Sequence, residues 1–468
     1  MLQKTWLRTL IVAALAVLPW LGGLDVEELV WEGNYLVGDN PLLDEPDVVL
    51  RAFGEPWASG VGPAGARAKN QGYYRPVATL DLALEKTLWG EDPVGWRAGA
   101  LVLHGGIAVA LLWVLELAAA GPAAPILALA YAWHPLHSEV IGSVAYRTTA
   151  LTILLGLLAL GVLARWDGRS RPRLVLGLVL ATLAFFTKET ALTFVAVIPL
   201  TLFALDPGPV GRRRALVVAS ALAVLAGGWW LIRSQIVLPT PGAILGELSL
   251  GDRLALMTKT TAHLAGIVVW PRDLNPHYDI SVFYPPLVDL RTWIGLLLIG
   301  GVGGLAVLGL RRRRPWAFAL LAALATLGPV SGIIPLRVLV ADRFLVLPVA
   351  FALVAVALAV GASRWRPAGL GRRAAVVAVM VILGVLGTRS WSRMTDWRSV
   401  QVLLEARVRD FPGSVDAQLG LGDHCLTRGD LDCARVHVDL ALEIYPGYPI
   451  AEGIRAEIDA AAPREAQP

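Results

Sequence analysis

Apolar windows of about twenty residues, the length that a hydrocarbon core about 30 Å thick demands of a helix, recur along this chain. They begin near residues 5, 99, 122, 145, 173, 190, 215, 292, 315, 343 and 373. A chain of 468 residues that is 56% hydrophobic and only 17% charged is too apolar for an ordinary water-soluble domain. The pattern predicts an all-α membrane protein built on about eleven transmembrane helices, because helices satisfy their own backbone groups in lipid. The first run, Trp6 to Leu24, follows Lys4 and contains Arg8. With Trp20 and Leu21 where a small-residue cleavage site would be needed, it reads as the first span rather than a signal peptide.

The formal net charge of +4 is concentrated in short basic connectors, not spread as a nucleic-acid-binding face. These connectors are Arg165 to Arg173, Arg212 to Arg214, Arg311 to Arg314, and Arg364 to Arg373. If each is cytoplasmic, the remaining connectors fall outside, the N-terminus lies inside and the C-terminus outside. The expected location is therefore a multi-pass plasma (inner) membrane protein. The segment from Asp252 to Trp270 carries Lys259 and His263 and fits an interfacial or re-entrant helix.

Two regions are too polar to span: a large first outer loop, residues 25–98, and the tail after Ser390. This divides the chain into a transmembrane domain, 1–390, and a helical tail, 391–468. From Asp416 the tail places Leu421, Gly422, Ala434, Ala441 and Pro446 at the offsets of a tetratricopeptide (TPR) helix pair, with Gln418 where tryptophan is usual. One such repeat cannot bury its apolar face alone, so flanking helices at 394–409 and 449–461 are expected to complete a short stack. A stack of this kind holds an extended peptide or a partner helix; the alternative is a cap packed on the bundle. Cys425 and Cys433, the two cysteines, would meet across the turn as a disulfide in an oxidising compartment, or sit there as small core residues.

Ionisable residues near membrane depth are costly unless paired or set in a wet cavity, and here the topology gives them one address. The outer connectors hold Trp31-Glu32-Gly33, Asp39-Asn40-Pro41, Tyr73-Tyr74-Arg75-Pro76, HPLHSE at 134–139, Arg147, TKET at 187–190, WPRDLNPHYD at 270–279 and ADRFLVLP at 341–348. Carboxylates (Glu32, Asp39, Glu139, Glu189, Asp342) mix with cations (Arg75, Arg147, Lys188, Arg343). Such a set suits a pocket that grips a phosphate with Arg and Lys while a carboxylate accepts a proton from a hydroxyl. No Gly-rich phosphate loop is present, which argues against a nucleotide donor.

Plainer readings stand beside these. His134 and His137 are also placed to cap a helix start or bond each other, and their spacing suits a metal shared with Glu139, though nothing else supports a metal. Lys188 and Glu189 also suit an interfacial snorkelling pair, Asp342 and Arg343 an ion pair at a helix start, Arg75 a packing role behind two tyrosines, and Asp39-Asn40-Pro41 a turn.

At these motifs the chain resembles the GT-C membrane glycosyltransferases, and among them the transmembrane-and-TPR O-mannosyltransferase group with its bacterial relatives. The resemblance runs over residues 30–348 and rests on WEGNYLVGDNPLL, YYRPVATLDLALEKTLWGEDP, HPLHSEVIGSVAYR, TKET and VADRFLVLP in that order. Glu32-Gly33 stands where the family has two acidic residues, and Tyr146-Arg147 where relatives have Gly-Arg. The resemblance implies a GT-C-like bundle that transfers a sugar, mannose in that group, from a polyprenyl-phosphate donor. The acceptor would be a Ser or Thr hydroxyl of a protein on the outer face, with inversion.

In that scheme Glu32 deprotonates the acceptor, Asp39 being the alternative base, and Arg75, Arg147, Lys188 and Arg343 hold the lipid phosphate. His134, His137, Glu139, Glu189 and Tyr74 would shape the sugar and acceptor pocket. No cofactor beyond the lipid-linked donor is expected; the partners are membrane lipid and a protein or peptide held by the tail. A glycan or lipid acceptor is a second reading, and a non-catalytic membrane-anchored scaffold a third. A transporter would need ionisable groups at mid-membrane in broken helices.

Overall fold

A computed structural model describes residues 2–61, 72–118, 121–237, 249–283, 289–331, 338, 340–362 and 369–461. Residues 62–71 of the first loop, Arg364 to Ala368 of the last basic connector and residues 462–468 of the tail lie outside these. The described chain is helical; its one pairing of extended segments is an isolated antiparallel bridge between Tyr278 and Val340.

Every apolar window corresponds to a helix. Seven are long and apolar enough to cross a membrane: Trp6–Leu24, Pro93–Leu117, Val144–Ala164, Pro209–Ile236, Leu290–Arg311, Asp342–Ala362 and Gly369–Thr395. The remaining windows fold as shorter helices, Ala123–Ala132, Arg171–Phe185, Glu189–Leu205 and Pro315–Val330. Several helices begin where proline fixes the first turn and loses no needed donor, as at Pro76, Pro93, Pro209 and Pro315. The Asp92 carboxylate strengthens one such start by accepting from the Val94 and Gly95 amides.

The principal core is aliphatic and threads Ile107, Leu111, Ile153, Leu160, Phe194, Ile198 and Phe351 between the helices. Apolar side chains on Pro209–Ile236, Leu290–Arg311 and Gly369–Thr395 instead face outward, among them Val224, Leu297 and Met380. That is the surface a lipid-facing helix presents.

The first loop has its own small core of Leu36, Val37, Leu43, Trp57, Leu82 and Trp96. The helix Pro76–Trp89 lies within it. The helix Arg147–Ala164 has 18 residues and so rises about 27 Å. It therefore separates the polar cluster at its start from the basic connector at Arg165, where Arg214 donates to the Leu163 and Ala164 carbonyls.

Four tail helices follow, Val400–Asp410, Val415–Thr427, Leu431–Ile444 and Pro449–Ala461. They share a core of Leu404, Leu419, Leu421, Ala434, Val438 and Ile458. Cys425 and Cys433 are joined as a disulfide across the central turn. The first of these helices starts against the bundle: the Trp397 ring occupies the space beside Gly142, where a Cβ would come within 2.3 Å of it.

Candidate functional site

The His-rich turn between Ala123–Ala132 and Val144–Ala164 fixes the site's floor. His134 sits in extended backbone and accepts the Leu136 amide on Nδ1, while its Nε2 meets the Val268 carbonyl at 3.0 Å. His137 lies inside a ring cluster, 4.5 Å from Tyr131, 4.7 Å from His104 and 6.4 Å from Trp20 by centroids. Burial lowers the basicity of both imidazoles, most strongly for His137. Both histidines are thus engaged in packing and in backbone bonds. Among the described residues no group of three or more His, Cys, Asp or Glu side chains is gathered to hold a metal ion.

Two residues on, Glu139 is buried and meets Arg343 from a segment 204 positions later. One carboxylate oxygen accepts the Arg343 backbone N–H at 2.9 Å and the other pairs with its guanidinium. The same guanidinium donates to the Pro276 carbonyl at 2.9 Å and lies 4.0 Å from the Tyr146 ring centroid. Burial raises the Glu139 carboxyl above its ordinary range, against the pull of Arg343 and Lys188. Asp342 does not pair with its neighbour Arg343; it accepts the Tyr278 hydroxyl at 2.7 Å.

A second pair lies close by. Arg75 donates to Glu189 through Nε at 3.0 Å and through a terminal nitrogen at 2.8 Å, and the other oxygen of Glu189 accepts the Tyr74 amide. The Tyr74 ring is fully buried, and its hydroxyl donates to the Phe53 carbonyl. Tyr73 lies under the Arg75 guanidinium at 4.2 Å.

Lys188 stands between these pairs. It donates to the Thr149 hydroxyl at 2.7 Å, and no ion pair joins it to a carboxylate among the described residues. Burial, followed by the charges of Arg75 and Arg343, lowers its ammonium to about 7, with Glu189 and Glu139 opposing. Of these three cations, Lys188 is the one with no carboxylate paired to it among the described residues.

Arg147 is engaged differently. It donates to Asp81 at 2.9 Å and Glu85 at 2.9 Å, and it lies 5.7 Å from the Trp96 ring. Spaced four apart on Pro76–Trp89, Asp81 and Glu85 share one face of that helix. Here one cation meets two carboxylates.

Glu32 is half-buried and lies beside the Tyr35 phenol. Burial and this carboxylate push the Tyr35 phenol well above its usual range. Glu32 also lies within electrostatic reach of Arg343 and Tyr146. The backbone at Trp31 is left-handed, with φ 65°, and this turns the chain into Glu32. Asp39 is exposed, at the end of the following helical turn Asn34–Gly38.

The structure therefore gathers Arg75, Glu189, Arg343 and Glu139 around Lys188, with Tyr146 and Glu32 beside Arg343 and the Tyr74 amide bound to Glu189. It sets Arg147 in its own carboxylate cage, His134 and His137 in the floor, and Asp39 at the surface. Asp81, Glu85, Tyr146 and Tyr278 fall inside the quoted motifs without a role expected of them there, and Thr149 lies outside those motifs. The four-residue spacing of Asp81 and Glu85 on an otherwise apolar helix was the one available signal.

No family model matches the chain, and no curated protein matches it. Among solved structures it is similar to ArnT from Cupriavidus metallidurans bound to undecaprenyl phosphate, at 16% identity and a TM-score of 0.38, over 98% of this chain and 78% of that one. The same protein in the apo state gives 16% identity and a TM-score of 0.37 over the same shares. A likeness this distant leaves the chemistry to be read from the side chains.

Proposed function

We propose that this chain is a membrane glycosyltransferase that takes a sugar from a polyprenyl-phosphate carrier and passes it to a hydroxyl acceptor. The observation that carries the reading is Lys188, set between the Arg75–Glu189 and Arg343–Glu139 pairs with no carboxylate of its own. A phosphate arriving there would give Lys188 the anionic partner it lacks and favour its full ammonium. Arg75 and Arg343, each held by a glutamate, present fixed hydrogen-bond donors beside it.

Glu32 is the base. It reaches the same Tyr146–Arg343 corner yet keeps partial access to water, as a group that must meet an incoming hydroxyl requires. The acceptor O–H gives its proton to Glu32 while its oxygen bonds to the anomeric carbon. The bond from that carbon to the donor phosphate oxygen breaks, and the electron pair leaves on the phosphate. Attack from the face opposite the phosphate inverts the centre. Arg147, neutralised twice, braces the Pro76–Trp89 helix rather than holding phosphate.

The proposed acceptor is a Ser or Thr hydroxyl of a protein, and mannose the proposed sugar, on the strength of the motif resemblance. One observation favours a glycan or lipid acceptor as a second reading: the N-terminal end of Val415–Thr427 is already occupied by Asp279 and Ser281 of the 273–282 segment. That leaves less of the stack for a peptide.

Purified protein in proteoliposomes, supplied with a panel of polyprenyl-phosphate sugars and with peptide, glycan and lipid acceptors, tests this directly. Transfer that disappears in Lys188→Ala and Glu32→Gln supports the reading. Transfer untouched by both substitutions removes it.

A further inference from the structure

The tail is fastened to the segment that carries Glu32. The Arg398 carbonyl accepts the Glu27 amide at 2.9 Å, and the Glu28 carboxylate accepts the Val400 amide at 2.7 Å. One side chain reaches further than these. Arg407, from the last turn of Val400–Asp410, is buried and lies 5.0 Å from the Trp31 ring centroid. It also donates through Nε to Asn275 at 3.0 Å and pairs with Asp416 at the start of Val415–Thr427.

Trp31 needs such support. A bulky residue at φ 65° is in a region that L side chains rarely adopt, and it persists only where its surroundings over-determine it. The indole is held by the Arg407 guanidinium over its ring, and the Tyr146 side chain lies beside it. The next residue is Glu32. If Trp31 relaxed, the direction of the chain entering Glu32 would change and the carboxylate would swing away from the Tyr146–Arg343 corner.

We propose that Arg407 is a positioning residue for the transfer reaction: from the tail, it locks Trp31 in its left-handed conformation and so aims Glu32. The proposal rests on the reading of Glu32 as the base. It makes the tail a working part of the active site, whatever the tail binds elsewhere. Arg407 bonds to Asn275 and His277 on either side of the Pro276 carbonyl that Arg343 uses, but makes no contact with Lys188, Arg75 or Arg343, so its loss is expected to act on the chemical step far more than on donor binding.

The test uses the full chain in nanodiscs with two readouts, steady-state transfer and hydrogen exchange over residues 26–40. Arg407→Ala is expected to lower kcat about tenfold while the KM for lipid-linked sugar stays within about twofold, and to raise exchange in 26–40. Arg407→Lys, which keeps a cation over the indole but loses the fork, should recover part of the rate. Asp416→Asn, which frees Arg407 from its carboxylate, should give the same pattern at about threefold and carries the test if Arg407→Ala does not fold. Val436→Ser, on the exposed face of Leu431–Ile444, should change neither readout.

A wild-type kcat in Arg407→Ala, or a raised KM at constant kcat, would overturn the proposal. So would unaltered exchange in 26–40. If the wild-type protein transfers no sugar at all, the function above fails by itself. Exchange then still decides whether Arg407 governs the Trp31 segment.

Discussion

Two cation-centred clusters at the same end of the bundle, one around Arg147 and one around Lys188, differ in how their positive charge is answered. Around Arg147, two carboxylates answer one cation. Around Lys188, each arginine already has its own glutamate, and the lysine has only a threonine hydroxyl. The first cluster is saturated with carboxylate. In the second, the lysine is the cation left without a carboxylate partner, as the proposed donor phosphate requires. Sequence motifs ranked Arg147 and Lys188 together; their partners separate them.

The largest effect should come at the base. Glu32→Gln keeps the shape and removes proton acceptance, and should reduce initial transfer rates by about 10²- to 10⁴-fold. Lys188→Ala should follow, with kcat/KM down by about 10²-fold and the loss shared by every lipid-phosphate donor tried. Arg147→Ala should behave in the opposite way. Stranding Asp81 and Glu85 should cost about 3–5 kcal/mol of stability, read as an earlier thermal transition, while activity per folded molecule survives. A dead but fully stable Arg147→Ala protein would erase the distinction between the clusters.

A pH series sharpens it further. Lys188 titrates at about 7 in the empty site, lowered by burial and by Arg75 and Arg343. It is charged below that value and neutral above, so donor affinity should be full on the acid side and weaken as pH rises through it. Lys188→Arg, whose charge does not titrate in this range, should flatten that limb. The smallest effect belongs to exposed Asp39: Asp39→Ala should leave transfer within about twofold.

Much of the bundle was legible because lipid imposes one repeating length on the chain. Each apolar window became a helix, and four came out short, among them Ala123–Ala132, which stops before the extended backbone at His134. The tail hairpin was legible for a similar reason, its small residues Gly422, Ala434 and Ala441 falling where two helices approach.

The pairings within the site were not legible. Glu139 finds Arg343 across 204 residues, and no local spacing encodes that choice. The sequence offered Asp342 as the nearer partner, but that carboxylate turns to Tyr278 instead. Nor does any pattern announce that Arg407, deep in the tail, lies beneath Trp31. Such contacts follow from how separate hairpins come to rest on one another, information spread over the whole chain.

The bond between Cys425 and Cys433 gives the molecule a chemical record of where it was made. Thiols in a reducing cytosol stay open, whereas those exported across the membrane close. Alkylating whole cells with a bulky maleimide, before and after reductant, would therefore report the sidedness of the last four helices without any fused tag. The same gel would show what fraction of the population had delivered its tail to an oxidising compartment.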